Sequence, residues 1–255
     1  MPDNTSETKS YQKFRSRIQY LEMHTQTIDA ALNVMRHNIA SSDDKKTSLA
    51  EILGFEANRY SQLNHPTREK DRIINHSRAR NSEYAVITLY SYFTEYLQNI
   101  LGEIYAHKPL DVVGKSPNEL KFSYAEIVKL GSFEAISEKM IANVFRNLEN
   151  QKSTIELLDK ILTRTVTIDE NIKTKGLKYL DMRHLFVHGS GIVDQDFVRK
   201  YGEDTSLKVG DDLPTTYGNA KAAIEAVTLL CSTIDQSLIS NGFVKSRILE
   251  PGEAG

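Results

Sequence analysis

Apolar residues recur along most of the chain at intervals of three or four positions, which is the spacing of one face of an α-helix. The pattern is clearest over two long segments, residues 11–39 and 68–106, and we expect the second to be a central helix broken near Asn81. No segment alternates apolar and polar residues for long enough to predict a strand. The chain is therefore predicted to be an all-α helical bundle.

Glycine, proline and polar clusters divide the rest of the chain into shorter segments. Helical or short apolar segments are expected over residues 49–55, 119–130, 133–148, 154–162, 170–187 and 217–238. Residues 192–216 contain three glycine or proline residues between scattered apolar anchors and predict an ordered loop packed on the helices. Flexible tails are predicted over residues 1–10 and 246–255, around one domain of residues 11–245 that begins with a helical extension.

Composition sets limits on function and location. The 32 Lys and Arg stand against 34 Asp and Glu, so the chain cannot coat nucleic acid by bulk attraction, and any RNA contact must use a local patch. The single cysteine, Cys231, lies in an apolar helical run and predicts a core residue of a cytoplasmic protein. The polar N-terminus lacks a signal-peptide pattern, and no uninterrupted apolar run approaches the ~18 residues of a membrane span. We therefore expect neither secretion nor membrane insertion.

The six residues Arg183-His184-Leu185-Phe186-Val187-His188 are the strongest candidate site. They place three cationic or titratable groups in six positions, at the end of a predicted helix that stops before Gly189-Ser190-Gly191. At about 100° per residue, Arg183 and His188 lie about 140° apart on a regular helix. They would meet only if the helix end loosens or if a second copy of the motif faces the first.

Arginine and histidine together suit metal-free cleavage of an RNA phosphodiester bond. Imidazole titrates near neutral pH and can accept or donate a proton. Guanidinium holds phosphate oxygens in a fork and stabilises added negative charge. The ribose 2'-hydroxyl would be the internal nucleophile, so RNA is the expected substrate, and neither a metal nor another cofactor is expected.

The motif resembles the signature of the HEPN superfamily (higher eukaryotes and prokaryotes nucleotide-binding), in which an arginine, a polar residue and three further positions precede a histidine. The sequence after it resembles one prokaryotic branch, the ribonuclease-linked RiboL-PSP-HEPN type. The residues that carry this second resemblance are Gly191-Ile192-Val193-Asp194, Phe197, Lys208-Val209-Gly210-Asp211 and Leu213. The close match covers residues 181–213, and the helical pattern on both sides is compatible with it.

The resemblance implies a HEPN helical bundle with extra helices and an ordered loop after the motif helix. It also implies a homodimer in which two motifs share one cleft and cleave RNA without a metal, as a toxin or phage-defence protein that an antitoxin or activator protein controls. Arg183 would then bind or polarise the scissile phosphate, His188 would be the general acid or base, and His184 would orient the phosphate or the other histidine. In many family members a polar residue, often Asn, directly follows the final histidine, and some carry Tyr two positions beyond it. Gly189 and Ser190 stand there in this chain, which argues against functions that need those side chains.

Other interpretations of the same residues remain open. One is a HEPN module that serves only in dimerisation or RNA binding, beside a nucleotidyltransferase antitoxin, and another is an unrelated helical scaffold. His184 and His188, four positions apart, are also compatible with a metal site or with two satisfied structural histidines. Arg183 is compatible with an ordinary ion pair to a surface carboxylate such as Asp181.

A basic run before the break that is expected in the central helix is a candidate RNA contact. It includes Arg72, Arg78 and Arg80, which would guide an RNA backbone toward the cleft. Glu69 and Asp71 interrupt the run, and this favours a solvated helix face instead.

The central helix itself carries a polar and aromatic cluster. Glu95 lies about 160° around the helix from Phe93 and Leu97, so it should leave the core face. HEPN proteins often carry a polar residue on this helix near the cleft, which makes Glu95 a candidate supporting residue. The tyrosines of the cluster are expected mainly to pack in or beside the core, with base stacking or a dimer seam as alternatives; they are Tyr90, Tyr92 and Tyr96.

Overall fold

The computed structural model describes residues 6–40, 47–56, 58–108, 122–149 and 168–247. These residues form eight α-helices and no strand, which confirms the predicted all-α class. The helices are α1 (Lys9–Ala40), α2 (Leu49–Ile52), α3 (Lys70–His107), α4 (Tyr124–Leu130), α5 (Phe133–Glu149), α6 (Glu170–His188), α7 (Gln195–Tyr201) and α8 (Tyr217–Ser240).

Four long helices, α1, α3, α6 and α8, pack around one hydrophobic core. Phe93 of α3, Leu177 of α6 and Val227 of α8 are all buried there, and burying a side chain of this size stabilises the fold by about 1.5–3 kcal/mol. Cys231 is fully buried among them, as predicted, and burial raises the pKa of its thiol well above the ordinary value. The motif helix α6 is thus held by contacts with α3 and α8.

Helix α8 is long and apolar enough to cross a membrane by length and composition alone. Its apolar window is 44% buried, and it packs against α1, α3 and α6. In this structure one face of α8, which includes Val227, Leu230 and Ile234, is buried in the core of the bundle.

Helix α3 is continuous, and the break predicted near Asn81 is wrong. The side-chain amide of Asn81 donates to the backbone oxygen of Thr25 in α1, at 3.2 Å. Next to it, the Ser82 hydroxyl donates to the backbone oxygen of Thr216 at 3.1 Å. Polar residues that suggested a helix break are instead cross-links to neighbouring elements.

The folded part of the chain begins before Tyr11, so residues 6–10 do not belong to a loose tail. Thr8 is fully buried, and its backbone N–H and its hydroxyl both donate to the carboxylate of Asp235 in α8, at 3.1 and 2.5 Å. At the other end of the chain, the Arg247 N–H donates to the Glu7 carbonyl at 2.8 Å. The rest of both predicted tails and the predicted helix over 154–162 lie outside the described residues.

Residues 192–216, predicted as a loop, contain the helix α7. The Asp194 side chain caps this helix by accepting the Phe197 N–H at 2.8 Å. The two aromatic residues Phe197 and Tyr201 are buried against the bundle. Because α7 has only seven residues, it is too short for its periodicity to stand out from the surrounding glycines.

Candidate active site

The motif lies at the C-terminal end of α6, as predicted. The helix begins at the cap Asp169 and stays helical through His188. The backbone N–H groups of Gly189 and Gly191 both donate to the Leu185 carbonyl, at 2.8 and 2.9 Å, and so close the helix end. Ser190 and Gly191 reach this turn through positive φ angles of 54° and 79°, which cost less for glycine than for serine.

The regular end of α6 sets the directions in which the motif side chains point. Because α6 does not loosen before His188, Arg183 and His188 keep their separation of about 140° around the helix axis. The structure therefore does not bring these two side chains together within one chain.

The segment after the motif folds back over the end of α6. The Val193 N–H donates to the Asp211 carbonyl and the Gly210 N–H to the Val193 carbonyl, both at 2.9 Å. The Leu213 N–H donates to the Gly191 carbonyl at 2.8 Å, and Leu213 is buried. The positions that carry the family resemblance downstream of the motif thus form a structural unit that holds the end of α6 in place.

The two motif histidines lie side by side on the surface. The ring centroids of His184 and His188 are 4.9 Å apart, and both side chains are exposed. In the described part of the chain neither imidazole is hydrogen-bonded to another protein group. The described residues therefore supply no hydrogen-bond partner that would make them satisfied structural histidines.

Arg183 contacts an aromatic ring. Its guanidinium carbon lies 5.0 Å from the ring centroid of Tyr90 in α3. Among the described residues, no carboxylate lies within ion-pair distance of it. The alternative that Arg183 pairs with Asp181 is wrong, because Asp181 accepts instead from the Lys200 ammonium at 3.1 Å and the Tyr201 hydroxyl at 2.8 Å.

A shallow cavity of about 200 Å³ opens beside His184. Its walls include Leu185 and Phe197 together with Asp181 and Lys200. Burial and the adjacent Asp181 carboxylate raise the pKa of Tyr201, so its hydroxyl stays protonated and remains a donor to Asp181. This contact ties α7 to α6 three positions before His184.

The arginines predicted to bind RNA pair with nearby carboxylates. Arg72 donates to Glu69 at 2.8 Å and Arg80 to Glu83 at 2.5 Å, both within one turn of chain on the exposed surface. Exposed pairs of this kind contribute less than about 1 kcal/mol, so both arginines can still turn toward a phosphate.

Arg78 differs from Arg72 and Arg80 because it reaches another helix. It pairs with Asp29 of α1 at 3.1 Å and hydrogen-bonds Asn33. It lines a polar cavity of about 560 Å³ at the start of α8. On α3 it lies twelve residues before Tyr90, or about 18 Å along the axis, so it is remote from Arg183.

Glu95 belongs to an ion-pair cluster between α3 and α1. Its carboxylate contacts Lys13 at 2.8 Å and also pairs with Arg17. Partial burial opposes ionisation, but the bond from Lys13 and the charges of Arg17 and Lys13 outweigh it and lower the pKa of Glu95. Glu95 leaves the core face as predicted, yet its described contacts join it to α1 and not to the motif.

Two features of the site lie beyond what the sequence pattern indicated. The Tyr90 ring lies against Arg183, and the Lys200 ammonium shares a cavity with His184. Both depend on how separate helices pack, and a single sequence gives no signal for that. Among the described residues, no group of three or more His, Cys, Asp or Glu side chains is arranged to hold a metal ion.

Comparison of the chain with protein-family models, with curated proteins and with solved structures found no match. The resemblance to the HEPN superfamily therefore rests on the motif residues and on the segment that follows them.

Proposed function

We propose that the protein is a metal-independent endoribonuclease of the HEPN type, with Arg183, His184 and His188 in its active site. One observation carries the proposal: both motif histidines are exposed and, among the described residues, have no hydrogen-bond partner, while the half-buried Arg183 lies against the Tyr90 ring and has no carboxylate partner there. An arginine kept only for structure is usually paired, and a structural histidine is usually hydrogen-bonded.

The geometry suits the chemistry of 2'-hydroxyl attack. An imidazole removes the proton from the 2'-hydroxyl or delivers one to the leaving 5'-oxygen, and His188 has this function in the proposal. His184, whose ring lies 4.9 Å from that of His188, orients it or the phosphate. The Arg183 guanidinium stabilises the negative charge that develops on the phosphate oxygens.

The proposal includes a homodimer. On one regular helix the arginine and the second histidine point in directions about 140° apart, so a single motif presents them poorly to one phosphate. Two copies of the helix end that face each other would bring Arg183 of one copy toward His188 of the other. A cytoplasmic location and control by an antitoxin or activator protein belong to the same proposal.

The test is cleavage of a labelled structured RNA by purified protein in excess EDTA. The wild type is expected to leave 2',3'-cyclic phosphate ends, and Arg183→Ala and His188→Ala are each expected to lose at least about a hundredfold in rate. His24→Ala is the matched control, because His24 is also an exposed helical histidine beside an aromatic ring, that of Tyr84 at 5.4 Å.

Cleavage that persists in His188→Ala would exclude His188 as the catalytic residue. RNA binding without cleavage by the wild type would instead favour the non-catalytic HEPN module for dimerisation or RNA binding.

A further inference from the structure

The Arg183 guanidinium is held by an aromatic side chain from another helix. Its central carbon lies 5.0 Å from the Tyr90 ring centroid, and Tyr90 is itself packed against the hydrophobic core. The contact joins α6 to α3 at the level of the motif. Because the ring sits on a packed helix, the position of the guanidinium is fixed by the fold and not only by the flexible arginine side chain.

A second tyrosine of α3 offers a direct comparison. The Arg17 guanidinium carbon lies 5.3 Å from the Tyr92 ring centroid, which is nearly the same geometry. Arg17, however, is also ion-paired with Glu95. Tyrosines of α3 therefore make this contact both with an ion-paired arginine, Arg17, and with Arg183, which has no carboxylate partner among the described residues.

The presence or absence of a carboxylate partner decides whether an arginine can bind an added anion. Guanidinium donates its hydrogen bonds in its own plane, so an aromatic ring against one face leaves the N–H edges free, whereas a carboxylate occupies them. An arginine held by a ring alone is thus both positioned and charged.

We propose that Tyr90 is a positioning residue that presents the Arg183 guanidinium to an RNA phosphate group. The proposal rests on the proposed ribonuclease function. Tyr90 acts through Arg183 and does not itself contact the substrate.

The test compares Tyr90→Phe, which keeps the ring, with Tyr90→Leu, which keeps an apolar side chain but removes the aromatic face. We expect Tyr90→Phe to retain near wild-type kcat/KM and Tyr90→Leu to lose roughly three- to tenfold. In an Arg183→Ala background, Tyr90→Leu should cause no further loss, because the residue through which it acts is gone.

Tyr92→Leu is the matched control. It removes the same kind of contact on the same helix, from an arginine that is already ion-paired with Glu95. It should lower thermal stability about as much as Tyr90→Leu does and leave kcat/KM unchanged. Equal losses of activity in Tyr90→Leu and Tyr92→Leu would show that general packing is the cause and would overturn the proposal.

A binding assay separates failure of this proposal from failure of the proposed function. Binding of a 2'-O-methyl RNA, which cannot be cleaved, is measured for the same variants in excess EDTA. Cleavage that needs Arg183 but is unaffected by Tyr90→Leu would overturn the positioning proposal and leave the nuclease intact. Binding that depends on both residues, without cleavage, would support the positioning and overturn the nuclease. A wild type that neither binds nor cleaves RNA would overturn both.

Discussion

Asp235 is a carboxylate buried completely in the core of the bundle. It accepts two hydrogen bonds from Thr8 and lies 3.5 Å from the Tyr96 hydroxyl. Burial raises the pKa of Asp235 from 3.8 to about 6, and the charges of Glu103 and Glu7 add to the rise, although the bonds from Thr8 oppose it. The native state therefore binds this proton more tightly than the unfolded state does.

It follows that the stabilisation from this proton is complete below pH 3.8 and is lost as the pH rises through 6. Between pH 5 and 7.5 the free energy of unfolding should fall by about 1 kcal/mol more in the wild type than in Asp235→Asn, whose side chain does not titrate. Urea unfolding at both pH values measures this, with the exposed Asp212→Asn as a control for the charge change. Parallel pH profiles for the wild type and Asp235→Asn would contradict it.

At the residue scale the sequence could name candidate site residues but not the side chains that contact them. The pattern of Arg183, His184 and His188 was readable because all three lie within six positions. The contact of Arg183 with Tyr90 joins positions 93 apart, and that of Thr8 with Asp235 joins positions 227 apart. Neither leaves a trace in local spacing.

At the scale of elements, Gly176 lets α6 and α8 approach each other closely. A Cβ atom at this position would meet the Leu230 side chain at 2.7 Å, and the Leu230 Cβ, which cannot swing away, at 3.0 Å. Gly176→Ala should therefore destabilise the fold by about 1–2 kcal/mol, because overpacking outweighs the better helix propensity of alanine.

The midpoint of urea unfolding measures this effect. Gly218→Ala is the control, since a Cβ there would meet only the Thr216 hydroxyl at 3.8 Å. An unchanged midpoint for Gly176→Ala would mean that α6 and α8 lie farther apart than described.

The long helices were predictable from sequence because each has one apolar face, and periodicity reports that directly. The missed features were α7 and the unbroken course of α3. Both features depend on polar side chains whose partners the local pattern does not reveal. Asn81 donates a hydrogen bond to Thr25 in α1, and Asp194 accepts the N–H of Phe197 as the cap of α7. Such residues look like breaks until the neighbouring element is known.

At the scale of the whole molecule, the proposed shared cleft makes a prediction that no single chain satisfies. Purified protein should have about twice the chain mass of 28.9 kDa in solution. If each active site takes Arg183 from one copy and His188 from the other, a mixture of the inactive Arg183→Ala and His188→Ala proteins should regain activity, since half of the sites in a mixed dimer are intact.

Cleavage by the mixture after subunit exchange, compared with each variant alone, checks this. A stable monomer with full activity, or a mixture that stays inactive although mixed dimers form, would refute the shared cleft.

The ends of the described chain meet far from the motif. Glu7 and Arg247 are hydrogen-bonded to each other near the C-terminal end of α8. The C-terminal end of α6, which carries the motif, adjoins the segment that leads into the N-terminal end of α8. Asp235, which holds the first residues, lies 18 positions after Tyr217, or about 27 Å along the helix axis. A fluorescent protein, affinity tag or surface tether joined at Ser6 or Arg247 would therefore be attached at the end of the bundle opposite the motif, and an immobilised molecule would present its histidines to the solution.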